Sequence, residues 1–106
     1  MEGVAPLSRL RRLNLSFNKL TRVDGLSQLQ LLEYLELGKN FISGLDGLAN
    51  NTSNRFCLLS ELYLYSNQLT AFPPNLSFAL LKVLNLNRNQ DLSQLALGYC
   101  PLLEIL

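Results

Sequence analysis

Leu59-Ser60-Glu61-Leu62-Tyr63-Leu64-Tyr65-Ser66-Asn67-Gln68-Leu69 is the stretch on which the reading of the fold turns. Leu62 and Leu64 alternate with Glu61, Tyr63 and Tyr65, the two-residue period of a strand with one face buried and the other open. Asn67 follows three residues after the second leucine, and Leu69 resumes the apolar line. The same spacing recurs upstream as Leu10, Leu13, Leu15, Asn18, Leu20 and as Leu32, Leu35, Leu37, Asn40, Ile42. Downstream it returns as Leu81, Leu84, Leu86, Asn89, and Leu103 with Leu106 opens a fifth line. Another column, Leu7, Leu29, Phe56, Phe78 and Cys100, precedes each first leucine by three residues. The asparagines are 22, 27 and 22 residues apart. A repeat of this length that cannot close a core alone predicts units stacked on one another, each covering the next.

The array accounts for a skewed composition. The chain has 106 residues, 48% of them hydrophobic, and leucine supplies 29 against three valines and two isoleucines. A net charge of +1 provides no long-range field to draw in nucleic acid or an anionic membrane. The apolar stretch from Leu95 to Leu103 is too short to span a membrane and is broken by Gly98 and Pro101. Met1 to Pro6 has no basic segment leading into an apolar one, and two cysteines make no disulfide framework. Cytoplasmic residence, with the nucleus or cilium as variants, is the expectation; secretion would require an upstream signal.

The line L-x-x-L-x-L-x-x-N-x-L resembles the leucine-rich repeat over essentially the whole chain. Val23 and Leu26 after Asn18, and Leu45 and Leu48 after Asn40, stand at equal offsets within Asp24-Gly25-Leu26 and Asp46-Gly47-Leu48. These two repeats are similar to the short 22-residue intracellular class, which includes a phosphatase regulatory subunit and ciliary and nuclear scaffold proteins. Phe72-Pro73-Pro74 is more similar to the typical extended-loop repeat, and Gly98 to Leu106 to the cysteine-containing class of ubiquitin-ligase adaptors. The resemblance implies an α/β fold, an open right-handed solenoid with a parallel concave sheet and short helices or loops on the convex side. It also implies a protein partner.

The whole of 1–106 reads as one array of four full repeats and a truncated fifth, without separate caps. Residues 49–55, Ala-Asn-Asn-Thr-Ser-Asn-Arg, hold the extra length of the 27-residue repeat and map to a loop. Asp91 or Ser93 is a candidate cap for a brief helix through Leu97 with Gly98 as its stop, and Leu26 to Leu31 for one helical turn. Pro73-Pro74 excludes helix directly after Phe72. Uncapped ends predict self-association or marginal stability.

Asn18, Asn40, Asn67 and Asn89 are expected to form an internal ladder, because an amide both donates to and accepts from buried backbone. The outward positions fall into columns. One runs Arg12, Tyr34, Glu61, Val83, Ile105, and the next Asn14, Glu36, Tyr63, Asn85. A third is Ser16, Gly38, Tyr65, Asn87, beside Phe17, Lys39, Ser66, Arg88. Three of the four tyrosines lie here, and interface hot spots favour Tyr and Arg. Arg12, Tyr34, Glu36, Glu61, Tyr63, Tyr65, Asn85, Asn87 and Arg88 are therefore the candidate partner-binding residues; strand propensity and mutual stacking would also place tyrosines there.

Nothing points to catalysis. The chain has no histidine for a Ser-His or Cys-His pair, no glycine-rich phosphate loop and no paired-carboxylate setting. No cofactor or metal is expected, and Cys100 reads as a buried core residue with Cys57 one place off its column. Sequons occur at Asn14, Asn50, Asn51 and Asn75, of which Asn50 and Asn51 lie in the loop. Arg9, Arg11 and Arg12 read as a solvated surface. The function expected is a non-catalytic interaction or scaffold module. The alternatives are a substrate-recognition segment of a larger enzyme such as a ubiquitin ligase, or part of an extracellular ligand-binding ectodomain.

Overall fold

A computed structural model describes residues 9–23, 31–45, 58–72, 80–92, 94–95 and 103–105. A short strand forms at each leucine line: β1 (Arg12–Asn14), β2 (Tyr34–Glu36), β3 (Glu61–Tyr63), β5 (Val83–Asn85) and β7 (Glu104–Ile105). They form one five-stranded sheet in the order β1-β2-β3-β5-β7, with every pair parallel. Leu13, Leu35, Leu62 and Leu84 stand opposite one another along it. The extra residues between Asn40 and Asn67 leave this register untouched, since Tyr34 faces Glu61 just as Arg12 faces Tyr34.

The core is this leucine line with its neighbours. Leu32, Leu35, Leu37, Leu59, Leu62, Leu64, Leu69, Leu81 and Leu84 are fully buried, joined by Val23, Ile42, Leu45 and Leu86. Leu10, Leu13, Leu15 and Leu20 pack against it half-buried. Parallel strands this short carry few hydrogen bonds each, so burial of the leucines supplies most of their stability, about 1.5–3 kcal/mol per fully buried side chain.

Beyond each strand the chain takes one left-handed step. Phe17, Lys39, Ser66 and Arg88 have φ of 60°, 57°, 54° and 60°, and each immediately precedes a column asparagine. The step reverses the chain and brings the asparagine inward; for a residue with a Cβ such a conformation costs roughly 1–2 kcal/mol. A second line of backbone pairing follows. Arg22 bridges Gly44, and β4 (Ala71–Phe72) runs parallel to β6 (Gln94–Leu95).

Two expectations are corrected. Gln94–Leu95 is extended rather than part of a helix from Asp91 or Ser93 to Leu97, and no helix occurs among the described residues. Pairing with Ala71–Phe72 satisfies that backbone from the preceding repeat, an option that capping signals within one repeat do not reveal. The fifth line is displaced by one residue. Val83 pairs with Glu104 and Leu84 with Ile105, so Glu104 and not Ile105 continues the outward column. Leu102 and Leu103 are adjacent, so the leucine spacing alone fits either of two registers. The polar stretch 49–55, the turn proposed for 26–31, Cys57, Cys100 and the Leu7-to-Cys100 column lie outside the described residues, apart from Leu31.

Candidate functional site

The asparagines stitch the repeats together. Asn40 Nδ2 donates to Leu37 O at 2.9 Å within its own repeat and to Leu15 O at 3.1 Å in the repeat before, while its Oδ1 accepts from Leu20 N at 3.2 Å. Asn67 does the same with Leu64 O, Leu37 O and Ile42 N, each at 3.0 Å. Asn89 reaches Leu86 O and Leu64 O at 2.9 Å and accepts from Leu69 N at 3.1 Å. These three are buried. Asn18 differs: it is exposed and, among the described residues, bonds only to Leu15 O and Ser16 O of its own repeat.

This scaffold holds the outward columns in line. Backbone pairing sets Arg12, Tyr34, Glu61, Val83 and Glu104 side by side, and beside them Asn14, Glu36, Tyr63 and Asn85. The Tyr34 and Tyr63 rings approach to 5.3 Å between centroids at an interplanar angle of 44°. Arg12 covers the other end of this wall, its guanidinium carbon 4.1 Å from the centre of the Tyr34 ring. Tyr65 lies over Gly38 so closely that a Cβ there would stand 2.2 Å from Tyr65 Cζ. Tyr34, Glu36, Glu61, Tyr63 and Tyr65 thus form one patch across two repeats.

Its electrostatics are set by two carboxylates. The Tyr63 hydroxyl donates to Glu61 Oε1 at 2.6 Å, a short charge-assisted bond. That bond, with burial and the Glu61 charge behind it, pushes the Tyr63 hydroxyl up to about 12. Burial also raises Tyr65, followed by the charge of Glu36 and a hydrogen bond to it. Glu36 is itself buried at 8% exposure, and its Oε1 accepts the Gly38 N–H at 2.9 Å. The same side chain-to-backbone bond recurs elsewhere in the column: Asn14 Oδ1 accepts from Ser16 N, and Asn85 Oδ1 from Asn87 N, both at 3.0 Å. Asn14 Oδ1 also takes the Ser16 hydroxyl at 2.6 Å.

Of the remaining candidates, Asn85 is half-buried while Asn87 and Arg88 are exposed at the far side of the patch. The structure places Arg88 at the left-handed step, away from the tyrosines in sequence register. Two residues that sequence reasoning left aside also matter. Gly38 is the seat of Tyr65, a relation foreshadowed by a lone glycine beside a tyrosine in the third column. Lys39 lies with its Nζ 5.1 Å from the centre of the Phe17 ring, and Phe17 is 70% exposed. Among the described residues no three His, Cys, Asp or Glu side chains gather as a metal site requires, and no helix is long and apolar enough to cross a membrane.

Parallel strands paired at equivalent repeat positions and tied by buried asparagines define a solenoid repeat protein. Residues 8–50 match the family model for leucine rich repeats in two copies, and the same columns continue through Asn67 and Asn89. The match over residues 8–50 supports a leucine-rich repeat family for the array. No curated protein gives a significant match to it.

Proposed function

We propose that the chain is a non-catalytic protein-interaction module that grips its partner through the outward face of the five-stranded sheet. Repeats of this family generally bind other proteins, and their aligned strands leave an uncrowded surface. The observation that carries the reading is the patch of Tyr34, Tyr63 and Tyr65 around Glu36 and Glu61. Tyrosines offer wide contact area with a polar tip, and such groups dominate binding energy at interfaces. Arg12, Asn85, Asn87 and Arg88 form the polar rim in this reading. Cytoplasmic residence belongs to the same proposal.

The test is affinity capture with the wild-type chain, Tyr63→Ala/Tyr65→Ala, and Gln68→Glu as an exposed off-face control. Partners retained by the control and lost from the double variant support the face. Partners that all remain bound to the double variant would place the interaction elsewhere.

A further inference from the structure

We infer that the centre of this face is a slot for an arginine side chain of the partner, seated on the Tyr63 ring against the Glu61 carboxylate. The inference rests on the face being the binding surface. It starts from a charge mismatch within the patch. Glu36 and Glu61 stand in neighbouring columns of adjacent repeats, and among the described residues neither carboxylate has an ion pair. Their donors are neutral: the Gly38 N–H and the Tyr65 hydroxyl for Glu36, and the Tyr63 hydroxyl for Glu61. The Tyr63 bond uses only Oε1, so Glu61 Oε2 has no donor among the described residues.

Of the chain's described cations, those of the outward columns and Arg11 are engaged or stand to the side. Arg11 pairs with Glu33 at 2.6 Å, and Lys39 sits at the Phe17 ring. Arg88 is exposed in the next repeat along. Arg12 shows how this surface takes a cation, lying over Tyr34 at 4.1 Å. Tyr63 is the next ring in the wall, half-buried, with a carboxylate fixed beside it, and among the described residues no cation lies on its face. A second guanidinium there would repeat the Arg12 arrangement and add a bond to Glu61.

Arginine fits better than lysine for two reasons. Its planar group stacks on an aromatic face while its fork engages a carboxylate, and it is less strongly hydrated than an ammonium. An acidic side chain would meet two carboxylates and be rejected, so the slot supplies selectivity as well as attachment.

The experiment selects a random twelve-residue peptide library against the wild-type chain, Glu61→Gln and Tyr63→Leu, each first shown to unfold cooperatively. The expected winners on wild type contain arginine, are lost on both variants, and weaken roughly tenfold when that arginine becomes citrulline. Citrulline keeps the shape and removes the charge. Winners without arginine that are lost on Tyr63→Leu would overturn the slot while leaving the binding face standing. Winners indifferent to both variants would overturn both readings. An empty selection would also overturn the slot, since the library holds abundant arginine sequences; the capture experiment would then decide the face on its own.

Discussion

The ring of Tyr65 fills the space that a side chain at Gly38 would occupy, at a Cβ-to-Cζ distance of 2.2 Å. The contact joins consecutive repeats on the outward face and holds Tyr65 near Glu36. Gly38→Ala must therefore move the ring. Because the ring tip belongs to a flexible side chain, the stability change should stay within about 1 kcal/mol. The Tyr65 hydroxyl should fall back toward its ordinary value of 10.0 as it leaves its buried position beside Glu36. Absorbance titration of the tyrosines checks this, and an unaltered Tyr65 titration would refute it.

The asparagines should separate by position. Asn67→Ala removes bonds to Leu37 O, Leu64 O and Ile42 N at once, and should cost about 1–3 kcal/mol in urea unfolding. Among the described residues Asn18→Ala loses only exposed bonds within its own repeat, and it should cost less than half as much. Equal losses would mean that the bridging between repeats contributes nothing.

At the left-handed step, Ser66 with φ of 54° pays for its Cβ. Ser66→Gly should raise stability by roughly 0.5 kcal/mol, the relief of strain less the greater freedom of glycine in the unfolded chain. Ser66→Val should lower it by about 1 kcal/mol, because a β-branched residue suits that conformation worst. Thermal melts of the pair test the sign; a stabilising valine would contradict the strain argument.

Tyr63 makes stability depend on alkaline pH. Its proton is held more tightly in the folded chain, where the hydroxyl is raised to about 12 from 10.0. The contribution is thus complete below pH 10 and is lost as pH rises from there through 12. Glu61→Gln leaves only a neutral acceptor for that bond and removes the Glu61 charge, and should lower the Tyr63 titration and flatten stability across that window. Denaturant midpoints at a series of alkaline pH values would show it.

Core leucines should be graded by burial. Leu62→Ala, at a fully buried site facing Leu35 and Leu84, should cost about 2–5 kcal/mol. Leu13→Ala, half-buried at the edge strand, should cost about half that. A larger loss at Leu13 would argue that the edge repeat carries more of the fold than its exposure implies.

Most of the array was legible because leucine spacing reports one face of each strand directly: Leu13, Leu35, Leu62 and Leu84 are in register as the columns require. The fifth strand was not, since Leu102-Leu103 fits either of two registers and only backbone pairing with Val83 chooses. The β4–β6 pair was hidden for a related reason. Ala71, Phe72, Gln94 and Leu95 carry no alternation, and their extended form comes from neighbouring backbone rather than from local preference. In the candidate site the columns predicted which tyrosines are near one another. They did not reveal that Tyr65 lies over Gly38, or that Tyr63 spends its hydroxyl on Glu61, because these depend on rotamers.

Tyr34 faces Glu61 across 27 residues of chain, whereas Arg12 faces Tyr34 across 22. The length of the return path and the layout of the outward columns are therefore independent variables. A reporter or an added epitope grafted between Leu45 and Leu58 would travel with the array as a passenger, and the surface that meets a partner would keep its shape.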